Sequence, residues 1–339
     1  MPAAAQPSRR HFLALSAVAA AAAACGRATA SSGGGTETRK LRYQGTVGQV
    51  TLPELAEDLG YLGDVKLEWV GNTISGPQDI QSAATGQTDF GGAFNGAVVK
   101  LIAAGAPVKA VISYYGVDAN LFSGYYVLED SPIRSARDLV GKKVAMNTLG
   151  AHSEAVLDTY LQRNGFAAGE LGRVERIVLP PVNTEQALRQ KQIEVAVLGG
   201  ILRDKAVAAG GIRPLLSDFD LLGSFSAGTY VLTNRFLKAN PTTSKTFVTG
   251  VARAVEWART TPREEVVARS VEIVRKRGRN EDTATLQYWK SFGVAEPGGR
   301  LGDRTFQIWI DWLTTHGDLK QDQLKAADLY TNEFNGYGS

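Results

Sequence analysis

The residues of this chain best suited to chemistry sit at points where an extended run gives way to a helical one. TVGQVT (Thr46 to Thr51) follows the first extended run and TISGPQD (Thr73 to Asp79) the second, with Ser75 a candidate N-cap beside Gly76 and ahead of Pro77. FGGAFNG (Phe90 to Gly96) follows the third and puts Asn95 and Gly96 at a helix start. NTLGAHSE (Asn147 to Glu154) and LGGILRD (Leu198 to Asp204) repeat the arrangement later in the chain. A helix start leaves N–H groups unpaired and carries partial positive charge. Several such starts aimed together hold an oxyanion without a formal charge, each contributing about 0.3–1 kcal/mol when exposed. Ser and Asn also cap helices that bind nothing, and a glycine there can merely permit a turn. The binding interpretation draws its strength from convergence, because junctions from two halves of the chain would face one another across a cleft.

Other candidates are less specific. His152 is either a donor at a helix start or a polar neighbour of the cap, and Arg203, early in its helix, either neutralises an anion or lies on a solvated face, its commoner place. Tyr114, Tyr115, Tyr125 and Tyr126 straddle a predicted crossover, and Tyr114 is the preferred ligand wall among them. No GxSxG elbow, HExxH pair or GxxxxGK phosphate loop occurs, and no carboxylates have a spacing that marks an acid/base pair. The only cysteine is Cys25, which excludes disulfides and cysteine-based metal sites, and three histidines argue against a histidine-rich one. No cofactor is expected.

The elements that would position these junctions come in two similar cycles. Strands are predicted at 40–45, 66–70, 88–92 and 108–115, alternating with helices at 52–59, 78–85 and 95–104. The second cycle has an extended run at 123–132, a short helix at 135–139, strands at 142–147, 173–180 and 194–199, helices at 153–164, 184–191 and 202–209, and a returning extended segment at 228–234. This alternation predicts mainly parallel sheets covered on both faces. The remainder reads as helices at 242–259, 262–276, 281–292, 303–315 and 320–335, with Thr261, Pro262 and Glu264 forming a capping-box start. Trp257, Trp289, Trp309 and Trp312 on these helices read as packing residues rather than a ligand box.

The N-terminus has a different grammar. SRRHFL (Ser8 to Leu13) sets paired arginines before an apolar run from Ala14 to Ala24 that ends at Cys25. The run is about half the ~20 residues needed to cross a bilayer, so it reads as a secretory signal over residues 1–25. The arginine pair resembles a twin-arginine export motif, and AAAC (Ala22 to Cys25) a lipoprotein processing box, with an ordinary cleaved signal as the alternative. GRATASSGGGTE and the residues to 38 then read as a flexible tether. Loss of residues 1–24 would remove Arg9 and Arg10 and take the net charge from +3 to about +1, so basicity gives no support for nucleic acid. About 315 residues remain, roughly twice a usual domain.

Three segments carry a family resemblance: Ser75 to Tyr114, Ser131 to Gly165 with its DLVGKKVAM stretch, and NTEQALRQKQIEVAVLGG from Asn183 to Gly200. Their order is similar to that of periplasmic-type solute-binding proteins of ABC importers, in the group that includes aliphatic sulfonate, taurine, nitrate and thiamine-precursor binders. The resemblance spans about residues 39 to 335. It implies an α/β fold of two lobes, the type II periplasmic-binding-protein fold, with a mainly parallel sheet flanked by helices in each lobe and a cleft between them. Lobe one is expected over 39–127 plus 228–335 and lobe two over 128–227, joined by two extended crossovers.

Carried over by position, the family's ligand contacts fall at Val47, Gly48 and Gln49, at Ser75 and Gly76, at Asn95 and Gly96, at Thr148, Ala151, His152 and Ser153, and at Gly199 and Gly200. Relatives often carry an aspartate and a bulky residue where this chain has Gly199 and Gly200, which implies a roomier pocket and disfavours nitrate. The resemblance therefore implies a binding protein for a small organic anion, a sulfonate first, that acts as a monomer and delivers to a membrane permease from the outer face of the cell membrane. A thiamine-type pyrimidine is the alternative within the binding class. The alternative from another class is a desulfinase-like enzyme, disfavoured because Thr46 to Gln49 stand where that relative has its cysteine.

Overall fold

The computed structural model describes residues 36–338. The expected signal over 1–25, Cys25 and most of the expected tether lie outside the described residues. The first cycle consists of β1 (Lys40–Gly45), α1 (Leu52–Asp58), β2 (Lys66–Asn72), α2 (Gly76–Ala84), β3 (Phe90–Phe94), α3 (Asn95–Ala103) and β4 (Val108–Val117). The second consists of β5 (Ser123–Leu128), β6 (Lys143–Met146), α4 (His152–Arg163), β7 (Glu175–Val178), α5 (Pro181–Arg189), β8 (Val195–Gly199), α6 (Gly200–Ala208), β9 (Ile212–Ser217) and α7 (Asp218–Leu222). β10 (Phe225–Thr233) leads into α8 (Asn234–Ala239), α9 (Pro241–Thr260), α10 (Arg263–Lys276) and α11 (Asp303–Thr315). Among the described residues no helix is long and apolar enough to cross a membrane.

The strands form sheets of order β3-β10-β4 and β7-β6-β8-β5-β9, with β1 and β2 as a parallel pair. β10 opposes both of its neighbours, β5 opposes β8 and β9, and β6 runs with β7 and β8. In each of the two larger sheets one strand thus runs against a direction that all the others share. β1 extends the edge beside β3: the Arg42 N–H donates to Asp89 Oδ2 at 2.7 Å, and the Asp89 N–H donates back to the Arg42 carbonyl at 2.9 Å.

Both faces of each sheet are covered, as parallel strands require. Leu41, Phe90 and Tyr230 pack with Leu52 and Leu55 of α1 and Phe247 and Val251 of α9. On the other face Phe94 and Val231 meet Phe306, Trp309 and Leu313 of α11. In the five-stranded sheet Tyr125, Val144 and Val195 pack on Val156, Leu157 and Leu161 of α4, while Ala145 and Ala196 face Leu188 of α5 and Ala206 of α6.

Several expectations need correction. Residues 281–292 and 320–335 hold only 3-10 turns, at Ala284–Tyr288 and Ala326–Asp328, rather than helices. Their backbones are drawn onto β4 instead: the Gly116 N–H donates to the Phe292 carbonyl at 3.0 Å, and Tyr330 forms a parallel bridge with Ala110. Thr261 does not start α10. It closes α9 by donating its N–H to the Trp257 carbonyl at 2.9 Å, and α10 begins after Pro262 without a side-chain cap. Glu37 and Thr38, assigned to the tether, are held: the Glu37 carboxylate accepts from the Thr242 and Thr243 N–H groups at 3.2 and 2.7 Å, and the Thr38 N–H donates to Asn240 Oδ1 at 2.9 Å. Glu37 thereby caps α9 from outside the helix.

One glycine is demanded by packing. A Cβ on Gly228 of β10 would stand 1.9 Å from Tyr115 Cε1 and 2.7 Å from the Ala93 carbonyl oxygen. Gly228→Ala is expected to destabilise the fold by about 1–3 kcal/mol, as overpacking of a tight site does. The measurement is urea unfolding: an earlier midpoint at unchanged slope supports this account, and an unchanged midpoint means that the Tyr115 ring swings clear.

Candidate functional site

A cavity of about 450 Å³ lies at the carboxyl ends of strands from both cycles. Its wall includes the starts of α1 at Thr51, α2 at Gly76, α4 at His152, α5 at Pro181 and α6 at Gly200. The last four of these helices have no side-chain cap hydrogen bond, whereas α1, α7 and α8 are capped by Thr51, Ser217 and Thr233. α3, α10 and α11 lack a side-chain cap as well, so what sets these four apart is that their starts, with their unpaired N–H groups, meet at one cavity.

The structure brings Gln49, Gly76, Tyr114, Thr148, Ala151, His152, Ser153, Gly199 and Gly200 onto the wall. Gly76 allows α2 to press on β3, since a Cβ would stand 2.9 Å from the Ala93 Cα, and Gly200 has a left-handed φ of 53°. Val47, Gly48, Ser75, Asn95 and Gly96 are not on the wall. Val47 is 55% exposed at the turn after β1. The Gly48 N–H is already committed, donating to Glu281 Oε1 at 2.9 Å. Ser75 caps with its backbone only, and its N–H turns back to Thr73 Oγ1 at 3.2 Å. Asn95 is fully buried and donates through Nδ2 to the Ser226 carbonyl at 2.9 Å. Gly96 lies under the Phe94 ring, 2.5 Å from where its Cβ would be, so Phe94 rather than α3 meets the cavity.

Aromatic rings make the floor. Tyr114 stacks on Tyr230 at 4.2 Å between centroids and meets Tyr115 edge-on at 4.9 Å, while Phe122, Trp289 and Phe292 line other parts. Trp309 packs instead against Phe94 in the core at 4.4 Å. Burial pushes the Tyr114 and Tyr230 hydroxyls well above the usual phenol range, so both remain neutral donors.

The ionisable groups on the wall come in pairs. Lys290 Nζ is 3.1 Å from Asp204 Oδ1, and His152 Nε2 is 3.0 Å from Asp218 Oδ2. Arg203 is neither on a solvated face nor on the wall. It is 4% exposed, stacks 3.6 Å above the Phe122 ring, binds Asp204 and donates to the Asn120 carbonyl at 3.2 Å, clamping the crossover between β4 and β5. Lys290, Asp204 and Asp218 were not singled out in the sequence. Asp218 had a legible signal, because Ser217 followed by Asp218 and Asp220 is an N-cap with an acidic first turn.

The turn that carries Gln49 is braced from behind. Arg277 donates through Nη2 to the Gln49 carbonyl at 2.9 Å and through Nη1 to Glu54 Oε1 at 2.8 Å, while its Nε meets Glu281 Oε2 at 2.7 Å. Glu54 Oε1 also accepts from the Tyr43 hydroxyl at 2.6 Å, and its Oε2 accepts from the Thr51 N–H at 2.9 Å. Charges this deeply buried persist because each has both a counter-ion and hydrogen bonds.

Behind the tyrosine floor sits a second buried carboxyl. Asp79 accepts from the Gly92 N–H at 2.7 Å, and a Cβ on Gly92 would lie 2.8 Å from both the Tyr114 and Tyr230 rings. Burial raises its pKa from 3.8 to about 7, only partly offset by that N–H. A carboxyl raised in the folded state stabilises fully below its unfolded pKa, and that stability is lost as pH rises through the folded value. Asp79→Asn keeps the acceptor for Gly92 and is expected to flatten the decline in stability from about pH 4 to pH 7. Urea midpoints across pH 4–8 test this, and an equal decline in both proteins would assign it to other groups.

The family model "NMT1/THI5 like" matches residues 55–265. A putative aliphatic sulfonates-binding protein of Escherichia coli (strain K12) is 27% identical over 194 residues, which is 56% of this chain and 58% of that protein. The chain thus matches a little over half the length of that curated relative. Among solved structures, the alkanesulfonate-binding protein SsuA from Xanthomonas axonopodis pv. citri bound to MOPS has 19% identity and a TM-score of 0.68, over 88% of this chain and 99% of that one. A Candida albicans protein described as having the generic periplasmic binding protein structural fold has 15% identity and a TM-score of 0.63, over 87% and 96%. The architecture is therefore the two-lobe periplasmic-binding fold, and with more than half of its length matched by the family model the chain belongs to the NMT1/THI5-like family.

Proposed function

We propose that the protein is an extracytoplasmic, non-enzymatic solute receptor of an ABC importer that closes its lobes on a small organic anion, a sulfonate by preference. The convergence of four uncapped helix starts from both sheets on one cavity of about 450 Å³ carries this reading. It is supported by the relatives, one described as a putative aliphatic sulfonates-binding protein and one as an alkanesulfonate-binding protein bound to MOPS. The lobes are built on the two larger sheets, so their boundaries fall between β4 and β5 and between α7 and β10 rather than at 127/128 and 227/228, and closure requires that the anion contact the closed form more favourably than the open one. The closed monomer docks on a membrane permease. Lipid on Cys25 tethers it to the outer face of the cell membrane, a role that gives the only cysteine of the sequence its use.

A second reading, a pyrimidine-type heteroaromatic, is favoured by one observation: Tyr114 and Tyr230 present a buried aromatic wall. Their 4.2 Å separation leaves no room for a ring between them, so such a ligand would lie against the pair.

A thermal-shift series of C1 to C6 alkanesulfonates, nitrate and an aminopyrimidine separates the readings. A ligand at 100 times its Kd adds about 2.7 kcal/mol of stability. Sulfonates are expected to raise the melting temperature and nitrate to leave it unchanged; no shift with any sulfonate overturns the anion reading, and a shift with the pyrimidine alone establishes the second. Mass spectrometry of membrane-extracted protein is expected to find a lipid-modified N-terminus at Cys25, and an unmodified terminus beyond that residue overturns the anchor.

A further inference from the structure

We propose that His152 grips the anion as an imidazolium braced by Asp218, so that ligand capture takes up a proton. The inference rests on the anion reading above and adds to it the identity of the charged contact. His152 is the first residue of α4 and lines the cavity, whereas Asp218, the first residue of α7, is fully buried. Asp218 Oδ1 accepts from the Ser123 N–H at 3.0 Å. Its Oδ2 lies 3.0 Å from His152 Nε2 but off the hydrogen-bonding direction, leaving both buried atoms without an aligned partner. With the ring neutral that carboxylate oxygen has no counter-charge, a cost that is removed when an anion draws the ring into its charged form.

The other groups around the ring supply no alternative charge. Phe94 at the end of β3, Tyr115 of β4 and Phe225 of β10 pack on the imidazole at 5.3, 6.3 and 5.8 Å between centroids. Burial keeps the Tyr115 hydroxyl neutral, and Tyr125 of β5 gives its hydroxyl to the Ser153 carbonyl. Glu154, on the same helix, is engaged by Arg176 and by the Gly150 N–H, and Asp204 with Lys290 forms a separate pair. Among the described residues, Asp218 is the charged group set against His152.

With Nε2 turned to Asp218, Nδ1 is the nitrogen left for a molecule in the cavity. In the neutral ring with its proton on Nε2, Nδ1 is a lone-pair acceptor and repels an oxyanion. In the imidazolium both nitrogens donate, one to Asp218 and one to the ligand, beside the uncapped N–H groups at the start of α4. The ring therefore discriminates between ligand classes: an anion selects the protonated ring, and a neutral N–H donor selects the unprotonated one. Because only the charged ring donates from both nitrogens, anion affinity falls as pH rises.

The test is calorimetric titration of pentane-1-sulfonate into the wild-type protein, His152→Gln and Asp218→Asn at pH 6 to 9, in paired buffers of different ionisation enthalpy. Wild type is expected to take up as much as one proton per ligand, with Kd weakening toward about tenfold per pH unit at the alkaline end. His152→Gln is expected to bind more weakly, with no proton uptake and a flat pH profile. Asp218→Asn, which keeps an acceptor for Ser123, is expected to lose affinity with reduced uptake, while its melting temperature reports separately on folding. Wild-type binding without proton uptake and with a pH-independent Kd overturns this proposal and leaves the anion reading standing. No binding of the sulfonate by wild type overturns both, and the calorimeter distinguishes the two failures directly.

Discussion

A helix cannot satisfy its own first N–H groups, and this constraint shapes the centre of the molecule. In places the chain meets it in ordinary ways: Thr51, Ser217 and Thr233 cap with their hydroxyls, and Glu37 reaches across about two hundred residues of sequence to the start of α9. At four of the five helix starts on the cavity wall it does not. Ser75, Ala151, Pro180 and Gly199 stand at the cap positions of α2, α4, α5 and α6 and offer no side-chain bond. Four sets of donors are thus left turned toward one space, and the sheets, crossovers and covering helices keep them there.

Holding uncapped helix ends in register requires stiffness nearby, and buried charge provides it. Arg277 ties the turn at Gln49 to Glu54 and Glu281, and Arg203 ties α6 to the crossover at Asn120 and Phe122. Neither arginine lies on the cavity wall. Both sit one layer behind, where a bidentate cation fixes backbone carbonyls that a flexible turn would leave adrift.

Much of this was legible in the residues. Alternating β-rich and helical runs, most of the helices closed by a glycine such as Gly60, Gly86 or Gly165, set out the two cycles to within a few residues. The junction pattern led to Gly76, Ala151, His152 and Gly199, all on the wall. It misplaced Asn95 and Gly96 because the feature that decides them, the Phe94 ring folded over the start of α3, is a side-chain rotamer and not a spacing. Residues 281–292 and 320–335 have helical composition yet form only short 3-10 turns, and each is tied to β4 at one point, Phe292 and Tyr330, where pairing with a strand distant in sequence outweighs local propensity. β9 and α7 escaped because Pro214 interrupts a strand that tolerates it only at a sheet edge, and because a five-residue helix has too little period to read. The omission was consequential, for α7 carries Asp218.

The uncapped helix starts also bear on how this site can change over generations. Their donors belong to the main chain, so no side-chain replacement at Gly76, Ala151 or Gly199 removes them unless it introduces proline or displaces the helix. Tyr114, Phe122, Trp289 and the other rings have no such protection and can be exchanged one at a time. The polar half of the site is therefore written in the backbone and inherited with the fold, while the apolar half is open to mutation. Descendants of such a chain can drift across the shape of what they hold while retaining the donors that hold it.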